Sequence, residues 1–314
     1  MKFSKLKVKR FFFKTKLYKL NSLFNRFHII PYHMVVDKPN GFYPEISIHD
    51  FERQVAQLYK NYNVISLDEI VERVTRRESL RRCVAITFDD GFRDNYEKAY
   101  PILKQYGVPA TIFLTTGYIE GEKSPWFIKL RHIFMKTRRT HFQFRMWNQA
   151  FSIPMRSSLE RYEASEVVMK YLMNSTDVEK YLVLERLSEE LEANESMELS
   201  NIMLNWEQIR EMSKNGIDFG AHTVNHPVLT RVPISEAEEE IVKSKDTIEY
   251  KLGKPVTSFA YPFGNRTQYS VEFFEILEKY KFNCAVTAER GSNGYGTELF
   301  ALNRGAPWEL SMLT

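Results

Sequence analysis

The sequence predicts an α/β protein built as a (β/α)7 barrel, and three observations carry that expectation. Short, continuous apolar runs alternate with amphipathic helical stretches along most of the 314 residues, the pattern of parallel strands covered on both faces. Seven such runs fit a barrel better than an open sheet, although periodicity alone does not close one. Three of the runs also end in clusters of polar side chains, which a parallel barrel would gather on its C-terminal rim.

In order, the runs and helices are these. Ile29-Ile30-Pro31-Tyr32-His33-Met34-Val35 opens the series, and a helix follows with Phe51, Val55 and Leu58 at i, i+4, i+7. A short strand from Asn63 to Leu67, a helix ending near Arg77 and the strongest strand, Cys83 to Phe88, come next. The helix Tyr96–Tyr106 stops at Gly107, before a buried strand from Ala110 to Thr115. Later the rhythm resumes: helix Trp206–Asn215 stopped by Gly216, strand Ile217–Ala221, helix Ser235–Leu252 stopped by Gly253, strand Thr257–Tyr261, helix Val271–Tyr280 and strand Phe282–Thr287.

Between Gly117 and Leu204 the rhythm breaks. Two helical stretches, Leu159–Met173 and Val178–Leu191, follow a basic stretch from Lys129 to Arg145, and this predicts a helical insertion over about 118–204 within a barrel spanning 28–314. Residues 1–27 form a basic aromatic arm: nine Lys or Arg and no acid fall within residues 1–36, leaving 35 basic against 40 acidic side chains in the rest. Lysines between Phe11 and Leu20 interrupt any apolar core of a secretory signal, so the expected location is cytoplasmic. Basic charge interleaved with Phe11, Phe12, Phe13 and Phe24 suits peripheral contact with an anionic membrane at its inner face, with a functionless leader as the bland alternative. The mildly acidic body argues against a nucleic-acid partner. No run approaches the ~18 apolar residues of a membrane span. Cys83 and Cys284 sit in apolar runs and read as buried strand cysteines in a reducing compartment.

Chemistry concentrates at three strand ends: Asp89-Asp90-Gly91, His222-Thr223-Val224-Asn225-His226-Pro227 and Pro262-Phe263-Gly264. Adjacent carboxylates after an apolar strand repel unless a cation or proton offsets them. Two imidazoles and a carboxylate make a donor set for Zn²⁺ or a similar ion, leaving a position for water. Pro227 disfavours helix at His226, so the H-x-x-x-H pair belongs on a loop rather than on the helix of the zinc proteases. Alone, an Asp-Asp-Gly is often a capped turn and H-x-x-x-H is weak; their conjunction on successive strand ends points to a metal site.

Ile86-Thr87-Phe88-Asp89-Asp90-Gly91 resembles the first motif of the polysaccharide deacetylases, the NodB-like carbohydrate esterases. His222 to Pro227 resembles their second motif, and Ser258-Phe259-Ala260-Tyr261-Pro262-Phe263-Gly264 is similar to the third in one branch. Tyr32-His33 and Phe51-Glu52-Arg53-Gln54 are weaker echoes. The resemblance covers about residues 28–116 and 204–290. It implies a distorted barrel and a divalent-metal-dependent amide hydrolase, with Asp90, His222 and His226 holding the ion, Zn²⁺ first among candidates. It further implies Asp89 as general base, the Phe263 N–H as oxyanion donor, and an N-acetylated carbohydrate as substrate partner.

The chain departs from the family pattern twice. Ala260 stands where the third motif usually begins with an Arg that orients the base; Arg304, ahead of Arg266, is expected to supply that charge. No histidine follows His226, so the usual late general acid is missing, and His33 is the best-placed substitute. His28, His49, His132 and His141, with Trp126, Trp206 and Trp308, are read as ordinary structural residues, although Trp308 could line a sugar pocket. A cytoplasmic enzyme would meet lipid- or nucleotide-linked precursors. The alternatives are the same metal site acting on a non-sugar amide or imide, since fold does not select substrate, and a binding protein with a decayed site. Phosphoryl transfer is weak because no G-x-x-x-x-G-K-[ST] loop appears.

Overall fold

A computed structural model describes residues 25–120, 124–146, 149–193, 199 and 201–305. Residues 1–24 of the basic arm and Trp308 lie outside the described residues. The arm's last two residues, Arg26 and Phe27, belong to the folded body: Phe27 is buried and pairs with Asn293, and Arg26 bonds to Ser292.

The chain begins with β1 (His28–Tyr32), β2 (Met34–Val36), β3 (Glu45–Ser47) and helix α1 (Ile48–Asn61). Next are β4 (Asn63–Val64), α2 (Leu67–Thr75), β5 (Cys83–Phe88), α3 (Tyr100–Tyr106) and β6 (Ala110–Leu114). The segment between β6 and the next barrel strand holds α4 (Trp126–Lys136), β7 (His141–Met146), β8 (Gln149–Pro154), α5 (Ser158–Leu172) and α6 (Asp177–Glu190). Last come α7 (Trp206–Lys214), β9 (Ile217–Ala221), α8 (Ile234–Leu252), β10 (Ser258–Ala260), α9 (Glu272–Lys279), β11 (Cys284–Arg290) and β12 (Leu302–Arg304).

Seven parallel strands run in the order β1, β5, β6, β9, β10, β11, β12. The Gly305 N–H reaches the Ile29 carbonyl at 2.8 Å across the remaining gap, so the barrel is nearly closed. Alternation along each strand divides the core. Ile29, Ala85, Phe113, Ala260, Val286 and Leu302 meet inside, where α2 adds Leu67, Ile70 and Val74. Ile30, Tyr32, Ile86, Phe88 and Ile112 face outward onto the helices, and α1 answers with Phe51, Val55 and Leu58. Each fully buried Val, Leu, Ile or Phe among them contributes about 1.5–3 kcal/mol. Inside the barrel β9 passes Phe113 so closely that a Cβ on Gly220 would lie 2.5 Å from the ring, and only glycine fits.

Local signals set the helix limits. Ser47 and Ser66 accept the Asp50 and Glu69 N–H groups at the starts of α1 and α2, and Asn205 with Gln208 closes a capping box on α7. Gly107 and Gly253 end α3 and α8 with left-handed φ of 61° and 64°.

Two features differ from the sequence-based expectation. Asn63–Val64 is only a two-residue flank on the first half of β5, and the seventh barrel strand is β12. Leu302–Arg304 is three residues long, two of them polar, and offers no apolar run to detect. The insertion is also not wholly helical, because β7 and β8 pair antiparallel between the end of the basic stretch and the first of the two expected helices. Among the described residues no helix is long and apolar enough to cross a membrane. Both cysteines are free and buried.

Candidate active site

Strand register brings the polar clusters to one rim. Tyr32 lies level with Phe88, Leu114 with Ala221, and Ala260 with Val286. The chain therefore leaves β1 at His33, β5 at Asp89 and β9 at His222 at neighbouring heights, while Arg304 closes β12 beside them.

Asp89 is 3% exposed and forms a two-pronged ion pair with Arg304, Nη1 to Oδ1 and Nη2 to Oδ2, each at 2.7 Å. The Arg304 Nε donates to the Thr287 carbonyl at 2.7 Å, which fixes the guanidinium plane. Burial alone would raise the Asp89 carboxyl, but the Arg304 charge, His33 and the paired hydrogen bonds outweigh it and hold the group well below the usual carboxylate range. Of the two arginines expected to reach Asp89, Arg304 does so, from β12 rather than from the strand that carries Ala260; Arg266 is exposed on the turn after Gly264. The His33 Nε2 lies 3.7 Å from Asp89 Oδ2, with about a third of its side chain exposed.

Asp90, His222 and His226 form a second group, all buried, with one potential ligand atom from each lying within 4.8 Å of the others. Both imidazole Nε2 atoms are 3.5 Å from Asp90 Oδ1, and that oxygen has no hydrogen-bond partner among the described residues. A buried, unpaired carboxylate oxygen between two ring nitrogens is costly unless a cation meets all three, so the donor set fits a divalent ion. The His222 Nδ1 contacts the Ala260 carbonyl at 2.7 Å. A carbonyl only accepts, so Nδ1 carries the proton and Nε2 turns its lone pair inward. Burial, then the neighbouring His222, pushes His226 down to about 3, which leaves its ring neutral at pH 7.

The backbone is bent to make this arrangement. Asp90, Thr223, His226 and Phe263 all have positive φ, of 73°, 66°, 56° and 60°. Such conformations cost on the order of 1 kcal/mol or more each and persist where neighbours enforce them. Three neighbours do so. A Cβ on Gly91 would lie 2.8 Å from Leu114, so the turn after Asp90 requires glycine. The Thr223 hydroxyl accepts the His226 N–H at 3.0 Å. Glu240 on α8 accepts the Val224 and Asn225 N–H groups at 2.8 Å each and the Asn225 amide at 2.7 Å, bracing the loop between the two histidines.

Glu240 and Trp126 escaped the sequence reading. Glu240 lies in an acidic helical run and resembles a solvated charge. Trp126, taken above as an ordinary structural residue, starts α4; its Nε1 reaches the His226 carbonyl at 3.5 Å and its ring lies 6.0 Å from Phe263. Phe127 and Phe263 each place a ring 4.7 Å from that of His226, forming an apolar wall. The Phe263 N–H has no partner among the described residues.

Residues 76–149 and 160–285 match the family described as polysaccharide deacetylase. The Bacillus subtilis (strain 168) protein YxkH is 24% identical over 278 residues, 88% of this chain and 69% of that one. The poly-beta-1,6-N-acetyl-D-glucosamine N-deacetylase of Staphylococcus aureus (strain N315) is 30% identical over 145 residues, 44% of this chain and 48% of its own, so the match spans about half of that relative. Among solved structures, the Streptococcus pyogenes deacetylase PplD in complex with acetate shares the fold with a TM-score of 0.62 at 21% identity, covering 92% of this chain and 97% of that one. IcaB from Ammonifex degensii has a TM-score of 0.58 at 18% identity, covering 92% and 98%.

Proposed function

The chain belongs to the polysaccharide deacetylase family, and we propose that it hydrolyses the N-acetyl group of an amino sugar within a polysaccharide or glycolipid precursor, releasing acetate and a free amine. The observation that carries this reading is the pairing of two buried groups on one rim: an ionised Asp89 clamped by Arg304, beside the Asp90, His222 and His226 donor set.

In this reading Asp90, His222 and His226 hold a divalent ion, Zn²⁺ first among candidates. Bound there, the ion supplies a lowered pKa for water and polarisation of the acyl oxygen. Asp89 accepts a proton from the attacking water. Arg304 occupies one lone pair on each carboxylate oxygen and leaves the others free, so it keeps the base ionised and oriented without consuming it. The Phe263 N–H donates to the acyl oxygen as charge develops there, and the strained turn around it aims that donor. His33, about a third exposed beside Asp89, returns a proton to the leaving nitrogen. Trp126 and Phe127 exclude water from the apolar side of His226.

The test is acetate release from a β-1,6-linked N-acetylglucosamine tetramer by wild type and Asp89→Asn. The asparagine variant should lose at least about 100-fold in kcat, the range of general-base catalysis. Turnover matching wild type would remove Asp89 as the base.

A further inference from the structure

The stretch from Asp89 to Asn95 carries the base and one ion ligand, and it also holds the chain that bears His33. His33 is the single residue between β1 and β2. On its N-terminal side the Asp89 N–H donates to the Tyr32 carbonyl at 3.0 Å. On its C-terminal side the Asp94 carboxyl accepts the Val35 N–H. At His33 itself the Asn95 Nδ2 donates to the carbonyl oxygen at 2.7 Å, and also to Asp94 Oδ1 at 2.8 Å. The stretch is braced from behind, where the Arg93 N–H meets the Ile202 carbonyl at 2.8 Å and the Leu204 N–H meets the Gly91 carbonyl at 2.9 Å.

Asn95 is 1% exposed, and both acceptors face one end of its amide, so only the orientation with Nδ2 toward His33 satisfies them. Its Oδ1 is left with no partner among the described residues, and a buried polar atom in that state costs about 1–3 kcal/mol. An apolar side chain of similar size would avoid that cost if packing were the only requirement. The backbone is also unusual here. The Tyr100 N–H reaches back five residues to the Asn95 carbonyl, which makes Asn95–Ala99 a π-turn at the head of α3, a rare geometry that concentrates at functional sites. The His33 ring lies 3.7 Å from Asp89 Oδ2, beyond hydrogen-bond reach. Its aim is therefore set by the main chain that carries it, and Asn95 is the side chain that holds that main chain at His33.

We infer that Asn95 is a positioning residue: by holding the His33 carbonyl it keeps the His33 ring where a proton can reach the leaving nitrogen. The inference rests on the deacetylase reading above. It is tested by acetate release from the β-1,6-linked N-acetylglucosamine tetramer by wild type, Asn95→Ala, the milder Asn95→Ser, His33→Ala and the double variant Asn95→Ala with His33→Ala. Asn95→Ala should lower kcat by about 10- to 100-fold, the effect of a misplacement of about 1 Å, with KM and calorimetric Zn²⁺ affinity unchanged. In the His33→Ala background the same substitution should cost nothing further, because the ring it positions is gone. A full loss in that background, a loss that extends to KM or Zn²⁺ affinity, or no loss in either single alanine variant would overturn the assignment while leaving the deacetylase reading intact. Should Asn95→Ala fail to fold, Asn95→Ser makes the same comparison with a smaller expected loss. If wild type releases no acetate, the deacetylase reading fails instead, and the crystal structure of Asn95→Ser decides the positioning role. A His33 ring moved by about 1 Å or more from its place beside Asp89 supports it; an unmoved ring overturns it.

Discussion

Replacing Arg304 by Met probes the junction between stability and chemistry. The substitution keeps an unbranched apolar stem but removes two 2.7 Å charge-assisted bonds to Asp89 and the 2.7 Å bond to the Thr287 carbonyl. Both members of the pair are about 4% exposed as side chains, so solvent compensates little for the loss. Removing one partner of a buried pair costs about 3–5 kcal/mol, because the other charge is left uncompensated; the loss at pH 7 should be about 4 kcal/mol. Its pH dependence follows from sign. In wild type the folded Asp89 pKa lies below its unfolded value, so the pair stabilises the fold above about pH 4 and that contribution fades as pH falls toward the folded pKa. Without Arg304, burial is the dominant remaining influence and raises the carboxyl, so the variant loses stability as pH rises. The gap between the two proteins should therefore be widest near neutrality and shrink toward pH 3. Urea unfolding at pH 3, 5 and 7, with chelator present throughout, measures it. A gap below about 1 kcal/mol, or one independent of pH, would refute the reasoning. Arg304→Lys should recover part of the stability, since a point charge cannot make both bonds.

Further expectations follow from other sites. Glu240→Ala removes all three braces from the loop between His222 and His226 and should weaken Zn²⁺ binding by about 10- to 100-fold in calorimetry, with Glu240→Gln intermediate; unchanged affinity would mean that the loop holds its own shape. Burial raises the Asp94 carboxyl to about 7, so folding takes up a proton there and stability falls as pH rises from about 4 to 7. Asp94→Asn should gain about 2 kcal/mol at pH 8, roughly half of what three pKa units carry given its partial exposure, and almost nothing at pH 4. Equal gains at both pH values would rule out that ionisation.

Much of this was legible in the sequence because the governing signals are local. Cys83–Phe88 is a continuous apolar run, and its burial on both faces is what such a run means in a parallel strand. Gly107 and Gly253 marked helix ends in the same way, and both take the left-handed φ that stops a helix. The residues Asp89, Asp90 and His222 stood out because they follow strands directly, and His226 because it is spaced four residues from His222 ahead of Pro227. What stayed hidden depends on the third dimension. β12 has no apolar run, and its place in the barrel is fixed by neighbours on β11 and by the Gly305–Ile29 link. Glu240 and Trp126 matter only through a loop and a ring far away in sequence. The left-handed backbone at Asp90, Thr223, His226 and Phe263 has no compositional signature, since glycine is absent from all four positions.

The most direct measurement of the proposed chemistry is metal occupancy and acetate release followed in one sample. Chelator-stripped protein is titrated with Zn²⁺ against the β-1,6-linked N-acetylglucosamine tetramer, with His226→Ala in parallel. The expected result is release that rises with occupancy and levels off at one equivalent, while the variant neither binds tightly nor turns over. Release that persists in stripped protein, or the absence of Zn²⁺ binding in wild type, would contradict the assignment of Asp90, His222 and His226.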